Sequence, residues 1–125
     1  MTQVQKTILI VEDERVLAQA LQMKLSKEGF TVEIAENGEE ALRILTTKSI
    51  DFIVMDLLMP VMDGFTFLEQ LQERKNKIPL MVLSNLGQPS DLERLKQLGG
   101  DDFLSKSASS FSDIIGHIKQ RLDVE

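Results

Sequence analysis

Five side chains in this 125-residue chain have the types and order to do chemistry together. They are the adjacent acids Glu12 and Asp13, the acid Asp56, the hydroxyl of Ser84 and the ammonium of Lys106. Brought to one place, three carboxylates repel one another, and the ordinary remedy is a hard divalent cation held by oxygen. Magnesium suits such a set, because it takes one or two carboxylates, keeps several waters and accepts a phosphate oxygen. A lysine and a hydroxyl beside that cation suit an anion with several oxygens. Phosphoryl is the natural choice, and a carboxylate between them is its natural nucleophile. The residues point to magnesium-assisted phosphorylation of an aspartate, provided the fold brings them together.

The elements that must do this can be read from the hydrophobic pattern. Apolar runs at Thr7–Val11, Thr31–Ala35, Asp51–Met55, Leu80–Leu83 and Asp102–Leu104 alternate with amphipathic stretches. Ile- and Val-rich runs without a period of two predict strands buried on both faces, whereas Val32 and Ile34 alternate as on an edge strand. Helical stripes follow at Leu17/Ala20/Leu21/Leu25, Ala41/Leu42/Leu45, Phe65/Leu68/Leu71, Leu92/Leu95/Leu98 and Phe111/Ile114/Ile115/Ile118/Leu122. Ser90-Asp91-Leu92-Glu93 reads as a capping box, and Asn37 is followed by Glu40 at the same offset. Gly29 and Gly99-Gly100 fall where helices should end, and Pro60, Pro79 and Pro89 in connections. Strand–helix alternation predicts right-handed crossovers and a parallel sheet covered on both faces, with ligands bound beyond the carboxyl ends of its strands. Glu12-Asp13, Asp56, Ser84 and Lys106 all stand at such ends.

Composition narrows the function class. The length predicts one domain over residues 1–125. The chain has no cysteine, which excludes disulfides, thiolate metal sites and thiol nucleophiles. A formal net charge of −6 argues against direct binding to nucleic acid, which needs a clustered basic surface. No apolar run approaches the roughly 20 residues of a membrane span, and the polar stretch from Met1 to Lys6 has no signal core. The expectation is a cytoplasmic protein without a membrane segment.

Three segments carry a family resemblance. They are Ile8-Leu9-Ile10-Val11-Glu12-Asp13, the run from Ile53 through Asp56-Leu57-Leu58-Met59-Pro60 to Asp63-Gly64, and Asp102-Phe103-Leu104-Ser105-Lys106. In this order and spacing they resemble the receiver domain of two-component response regulators, in the compact form of the chemotaxis response regulator. The resemblance runs from about Thr7 to Leu122. It implies a (βα)5 α/β fold, flavodoxin-like, with a doubly wound parallel sheet in strand order 2-1-3-4-5.

The resemblance also implies roles. Asp56 is the phosphoacceptor and Asp13 a direct magnesium ligand, while Glu12 acts on the metal mainly through water. The backbone carbonyl of Leu58 completes the protein ligands. Ser84 hydrogen-bonds the phosphoryl group, Lys106 pairs with one of its oxygens, and Phe103 is the aromatic that turns inward on activation. The implied partners are a sensor histidine kinase or phosphotransfer protein upstream, and a downstream protein on the face of the fourth helix, fifth strand and fifth helix. The same face would serve a homodimer.

Plainer readings stand beside these. Asp13 could cap the first helix, Asp56 could be a turn residue and Ser84 a turn hydroxyl. Lys106 could face solvent, Phe103 could be ordinary core, and His117, the only histidine, reads as a surface residue. Two positions depart from the family pattern: Ser107 follows the lysine where proline is usual, and Asn85 follows Ser84 where a smaller residue is usual. Leu58 and Leu86 are apolar where receivers flank the path of the hydrolytic water, which implies slow self-dephosphorylation. The competing functions are a phosphorelay intermediate, a receiver within a transcriptional regulator and an aspartyl-phosphate phosphohydrolase. The last wants an acid two residues past the nucleophile, where Leu58 stands. A nucleotide-binding protein of similar topology would need a phosphate-cradling glycine loop, which the chain lacks.

Overall fold

The run Ile8-Leu9-Ile10-Val11 is almost wholly excluded from solvent, as are Phe52-Ile53-Val54-Met55 and Leu80-Met81-Val82-Leu83. Runs this apolar can be accommodated only inside a sheet covered on both sides. The computed structural model, which describes residues 5–57, 61–85, 89–99 and 102–123, has that sheet. Its elements are β1 Thr7–Val11, α1 Arg15–Lys27, β2 Thr31–Ala35, α2 Gly38–Thr47 and β3 Phe52–Met55. They continue with α3 Gly64–Glu73, β4 Leu80–Ser84, α4 Pro89–Gln97, β5 Phe103–Ser105 and α5 Phe111–Leu122. All pairings are parallel and the strand order is β2-β1-β3-β4-β5. The fold is therefore the doubly wound (βα)5 arrangement, with β2 at an edge.

Pleating divides the core in two. Leu9, Val11, Ile53, Met55 and Val82 face one side and pack with Ala41, Leu42, Phe67, Leu68, Leu71 and Leu95 from α2, α3 and α4. Ile8, Ile10, Phe52, Val54, Met81 and Leu83 face the other and pack with Ala18, Leu21, Leu25, Ile114 and Ile118 from α1 and α5. Each fully buried Leu, Ile or Phe contributes about 1.5–3 kcal/mol by leaving water, so the sheet is the stable frame on which the rim is mounted.

The structure adjusts several sequence expectations. β3 and β5 begin one residue later than the apolar runs suggest. Asp51 instead accepts the Thr7 N–H at 2.7 Å, and Asp102 is taken up by His117 and Arg121 of α5. Pro89 opens α4 rather than lying in a connection, a position where its missing N–H and fixed φ fit a first helical residue. Ser90 is consequently inside α4 and is not its cap. The capping box occurs instead at α5: Ser110 accepts the Asp113 N–H at 3.1 Å, and Asp113 accepts the Ser110 N–H at 2.9 Å. Asn37 caps α2 as expected, and Gly29 ends α1 at a φ of +98°. Of the α4 stripe only Leu95 is buried, while Leu92 is 39% exposed. In α1 Ala18, rather than Leu17, joins the buried face. Gly100 lies outside the described residues. Among those described, no helix is long and apolar enough to cross a membrane.

Candidate functional site

The order of the sheet puts β1, β3, β4 and β5 side by side, so the residues following them share one rim. Hydrogen bonds extend the ladder into these residues. Glu12 N–H donates to Ala35 O and Asp56 N–H to Val11 O, each at 3.0 Å, and Lys106 N–H donates to Ser84 O at 3.2 Å. Glu12, Asp56 and Lys106 are thus still bonded into the sheet by their backbones.

The side chains converge. Ser84 Oγ donates to Asp56 Oδ1 at 2.7 Å, and Lys106 Nζ donates to Asp56 Oδ2 at 2.8 Å. Lys106 also meets Glu12 Oε1 at 2.8 Å and Glu14 Oε1 at 2.9 Å. The remaining Glu12 oxygen accepts the Glu14 N–H at 3.1 Å. Glu12, Asp56 and Ser84 are buried, whereas Asp13 is exposed.

The electrostatics follow from crowding. Burial pushes the Glu12 carboxyl above its ordinary value, and the Asp56 charge adds to this, while Lys106 and the Glu14 N–H oppose it. Burial also works against the Lys106 ammonium, but hydrogen bonds to Asp56, Glu12 and Glu14 outweigh it and raise its pKa. The lysine is therefore charged throughout the physiological range.

Carboxylate oxygens of Glu12, Asp13 and Asp56 all lie within 4.8 Å of one another. One ammonium against that many acids leaves an excess of negative charge in a partly desolvated place. An all-oxygen set of this kind fits a hard divalent cation such as magnesium.

Of the residues singled out from sequence, Glu12, Asp13, Asp56, Ser84 and Lys106 meet at this rim. Asp13 does not cap α1, which begins at Arg15 with Glu14 as its N-cap. Leu58 and Leu86 lie outside the described residues. Phe103 begins β5 paired with Val82, two residues before Ser84, and is partly buried against the core on the α2–α3–α4 side. His117 is not a free surface residue: it is partly buried and joined to Asp102, at the opposite end of the sheet from the rim.

One participant escaped the sequence reading: Glu14, whose only signal is a third consecutive acid after Glu12-Asp13. Asn85 and Ser107 were both singled out, but not their contact: Asn85 Oδ1 accepts the Ser107 N–H at 2.8 Å. That contact uses the very N–H a proline would lack, so the two departures from the family pattern answer one another.

Known proteins place the chain in a family. The family model for the response regulator receiver domain matches residues 8–119. The probable transcriptional regulator ycf27 of Cyanidium caldarium is 39% identical over 105 residues, covering 84% of this chain and 42% of the relative. The alkaline phosphatase synthesis transcriptional regulatory protein PhoP of Bacillus subtilis is 36% identical over 104 residues, covering 83% of this chain and 43% of that protein. The chain thus spans less than half the length of these curated relatives. Among solved structures, the signal receiver domain of a signal transduction histidine kinase from Syntrophus aciditrophicus superposes with a TM-score of 0.85 at 35% identity. That match covers 94% of this chain and 90% of the other.

Proposed function

The chain belongs to the response regulator receiver family, and we propose that it takes a phosphoryl group onto Asp56 from the phosphohistidine of a sensor kinase or phosphotransfer protein, and thereby switches partner binding. The carrying observation is the state of the Asp56 carboxylate, one oxygen held by the Ser84 hydroxyl and the other by the Lys106 ammonium.

A carboxylate oxygen of Asp56 attacks phosphorus in line, the P–N bond breaks, and its electron pair leaves with the donor imidazole. Lys106 and Ser84 already sit on the two oxygens of Asp56, so both donors are poised to follow the phosphoryl oxygens as charge accumulates there. Magnesium, held by Glu12, Asp13 and Asp56 with the Leu58 carbonyl, would supply neutralising charge at the phosphoryl oxygens when bound. The chain serves as a substrate that assists its own modification, not as a turnover enzyme.

The output follows from where the donors are mounted. Phosphorylation adds negative charge and acceptor oxygens, and the movement of Ser84 and Lys106 onto them biases β4, β5 and the loops beyond. The proposed partner surface is the α4–β5–α5 face, open to a downstream protein or a second copy of the chain. The transcriptional regulators among its relatives favour an output at a DNA-binding unit, while the chain's own charge of −6 argues against direct contact with DNA. The likeness to a receiver of a histidine kinase favours a relay role as the second reading. A phosphohydrolase is disfavoured by the absence of an acid at Leu58.

The test is intact mass after incubation with acetyl phosphate, with and without magnesium, on wild type and Asp56→Ala. One phosphoryl group gained only with magnesium and only by wild type is expected. No gain by wild type with either acetyl phosphate or a phosphohistidine donor, or a gain that survives Asp56→Ala, overturns the reading.

A further inference from the structure

Lysine carries three N–H donors and no acceptor. At Lys106 the structure supplies three carboxylate partners, an ion pair with Glu12 at 2.8 Å and hydrogen-bonded pairs with Glu14 at 2.9 Å and Asp56 at 2.8 Å. Two of these partners, Glu12 and Asp56, also belong to the group of acids whose oxygens lie within 4.8 Å of one another. A divalent cation bound there competes with Lys106 for both. Glu14 is outside that group and is the partner that remains.

The attachment of Glu14 suits such a role. It is the N-cap residue of α1, yet its side chain makes no capping hydrogen bond. Its carboxylate is turned instead to a lysine 92 positions away. Its own N–H donates to Glu12, so the Glu12–Glu14 segment curls around the ammonium. The pair is asymmetric, with the Glu14 side chain 64% exposed and that of Lys106 13% exposed. Half-exposed pairs add little to stability. What Glu14 can do is hold the end of a four-carbon stem that would otherwise be free to swing outward.

We propose that Glu14 is a positioning residue for phosphorylation: it keeps Lys106 at the rim when a cation draws Glu12 and Asp56 away. The inference rests on Asp56 being the phosphoacceptor. It deepens that reading by naming what holds the lysine ready for the incoming phosphoryl oxygen.

Glu14→Ser and Glu14→Gln separate this from a structural role in the full chain. Serine loses the lysine contact but provides a good cap for α1, so the melting temperature should hold or rise. Its phosphorylation rate at saturating acetyl phosphate and magnesium should nevertheless fall roughly tenfold, less than the roughly hundredfold that a 1 Å misplacement of a reacting group can cost. Glutamine keeps an acceptor oxygen for Lys106 and should recover much of the rate.

A second readout needs no turnover. The Lys106 ammonium resonance in 15N NMR should persist in magnesium-saturated wild type and be lost to solvent exchange in Glu14→Ser. If Glu14 only repels anionic donors, both variants phosphorylate faster than wild type, and the proposal falls. An unchanged rate, a rate that tracks melting temperature, or an ammonium signal indifferent to Glu14 also overturns it. Wild type that takes no phosphoryl group on Asp56 overturns instead the functional reading beneath.

Discussion

At the scale of single residues, the rim is a place where charge is concentrated beyond what its one lysine can offset. Lys106→Met removes the ammonium that contacts Glu12, Glu14 and Asp56. Stranding buried carboxylates in this way should cost about 2–4 kcal/mol in metal-free buffer. Magnesium should return part of that loss, because the cation then takes over the compensating charge. Thermal unfolding with and without magnesium checks both halves, and a variant equally stable in either buffer would contradict the charge argument. Glu12 gives the pH dependence. Its folded pKa lies above the ordinary 4.5, mainly through burial, so the folded state binds its proton more tightly than the unfolded chain does. Stability must then fall as pH rises from that value through the raised one. In metal-free buffer, Glu12→Gln should gain stability relative to wild type over that rise, measured by denaturant unfolding at each pH. Wild type gaining on the variant instead would reverse the sign. What could be read here in advance was residue type: an acid pair, an acid, a hydroxyl and a lysine after successive strands. The part of Glu14 could not be, because an exposed acid at a helix start looks the same whether it faces solvent or a lysine 92 residues on.

At the scale of elements, local chemistry decides where helices start, and two serines in similar contexts behave differently. Ser110 bonds the Asp113 N–H and receives the Asp113 carboxylate on its own N–H, whereas Ser90 lies within α4 behind Pro89. Ser110→Ala should lose about 1 kcal/mol, as cap removal ordinarily does, and Ser90→Ala much less. Chemical denaturation of the two variants side by side would decide it, and equal losses would contradict the assignment of caps. Gly64 shows a different constraint. A Cβ there would lie 2.5 Å from Leu57 Cδ2 and 2.6 Å from Leu57 Cα, and the Gly64 N–H donates to Leu57 O at 2.9 Å. The start of α3 is pressed against the segment that leaves Asp56. Gly64→Ala should therefore destabilise by about 1–3 kcal/mol. It should also slow phosphorylation by displacing Leu57, and a variant with wild-type stability would show that the segment yields freely. Strand identity was legible from Ile- and Val-rich runs, and helix faces largely so. The start of α4 was not, because Ser-Asp-Leu-Glu satisfies the capping pattern while Pro89 equally well begins a helix.

At the scale of the whole molecule, the frame is rigid on one side and weakly attached on the other. The sheet and the helices α1, α2, α3 and α5 share two cores, but α4 contributes, among its described side chains, one buried one, Leu95. It is further tied to α3 by Arg94, which pairs with Glu69 at 3.4 Å and stacks 4.3 Å from the Phe65 ring centroid, and by Gln72 Nε2, which donates to Gln97 O at 3.3 Å. The alternation of runs and stripes made the parallel sheet legible, and with the family resemblance its strand order too. The looseness of α4 was hidden, because Leu92, Leu95 and Leu98 read as a full stripe until their exposure is known. That looseness bears on signalling. Ser84 is followed by Asn85, whose Oδ1 holds the Ser107 N–H next to Lys106. If the Ser84 backbone follows its hydroxyl from Asp56 to a phosphoryl oxygen, Asn85 moves with it and carries the β5–α5 loop through the Ser107 N–H. Elements with few buried contacts yield first. Phosphorylation should thus change amide hydrogen exchange in α4 and the β5–α5 loop while leaving β2 and α2 as they were. Asn85→Ala should uncouple the two, so that α4 still responds and the loop after Lys106 responds less. Exchange followed with acetyl phosphate and magnesium, in wild type and Asn85→Ala, reads this directly. A response confined to β2 and α2, or a loop that responds equally without Asn85, would place the path from Asp56 to the surface elsewhere in the fold.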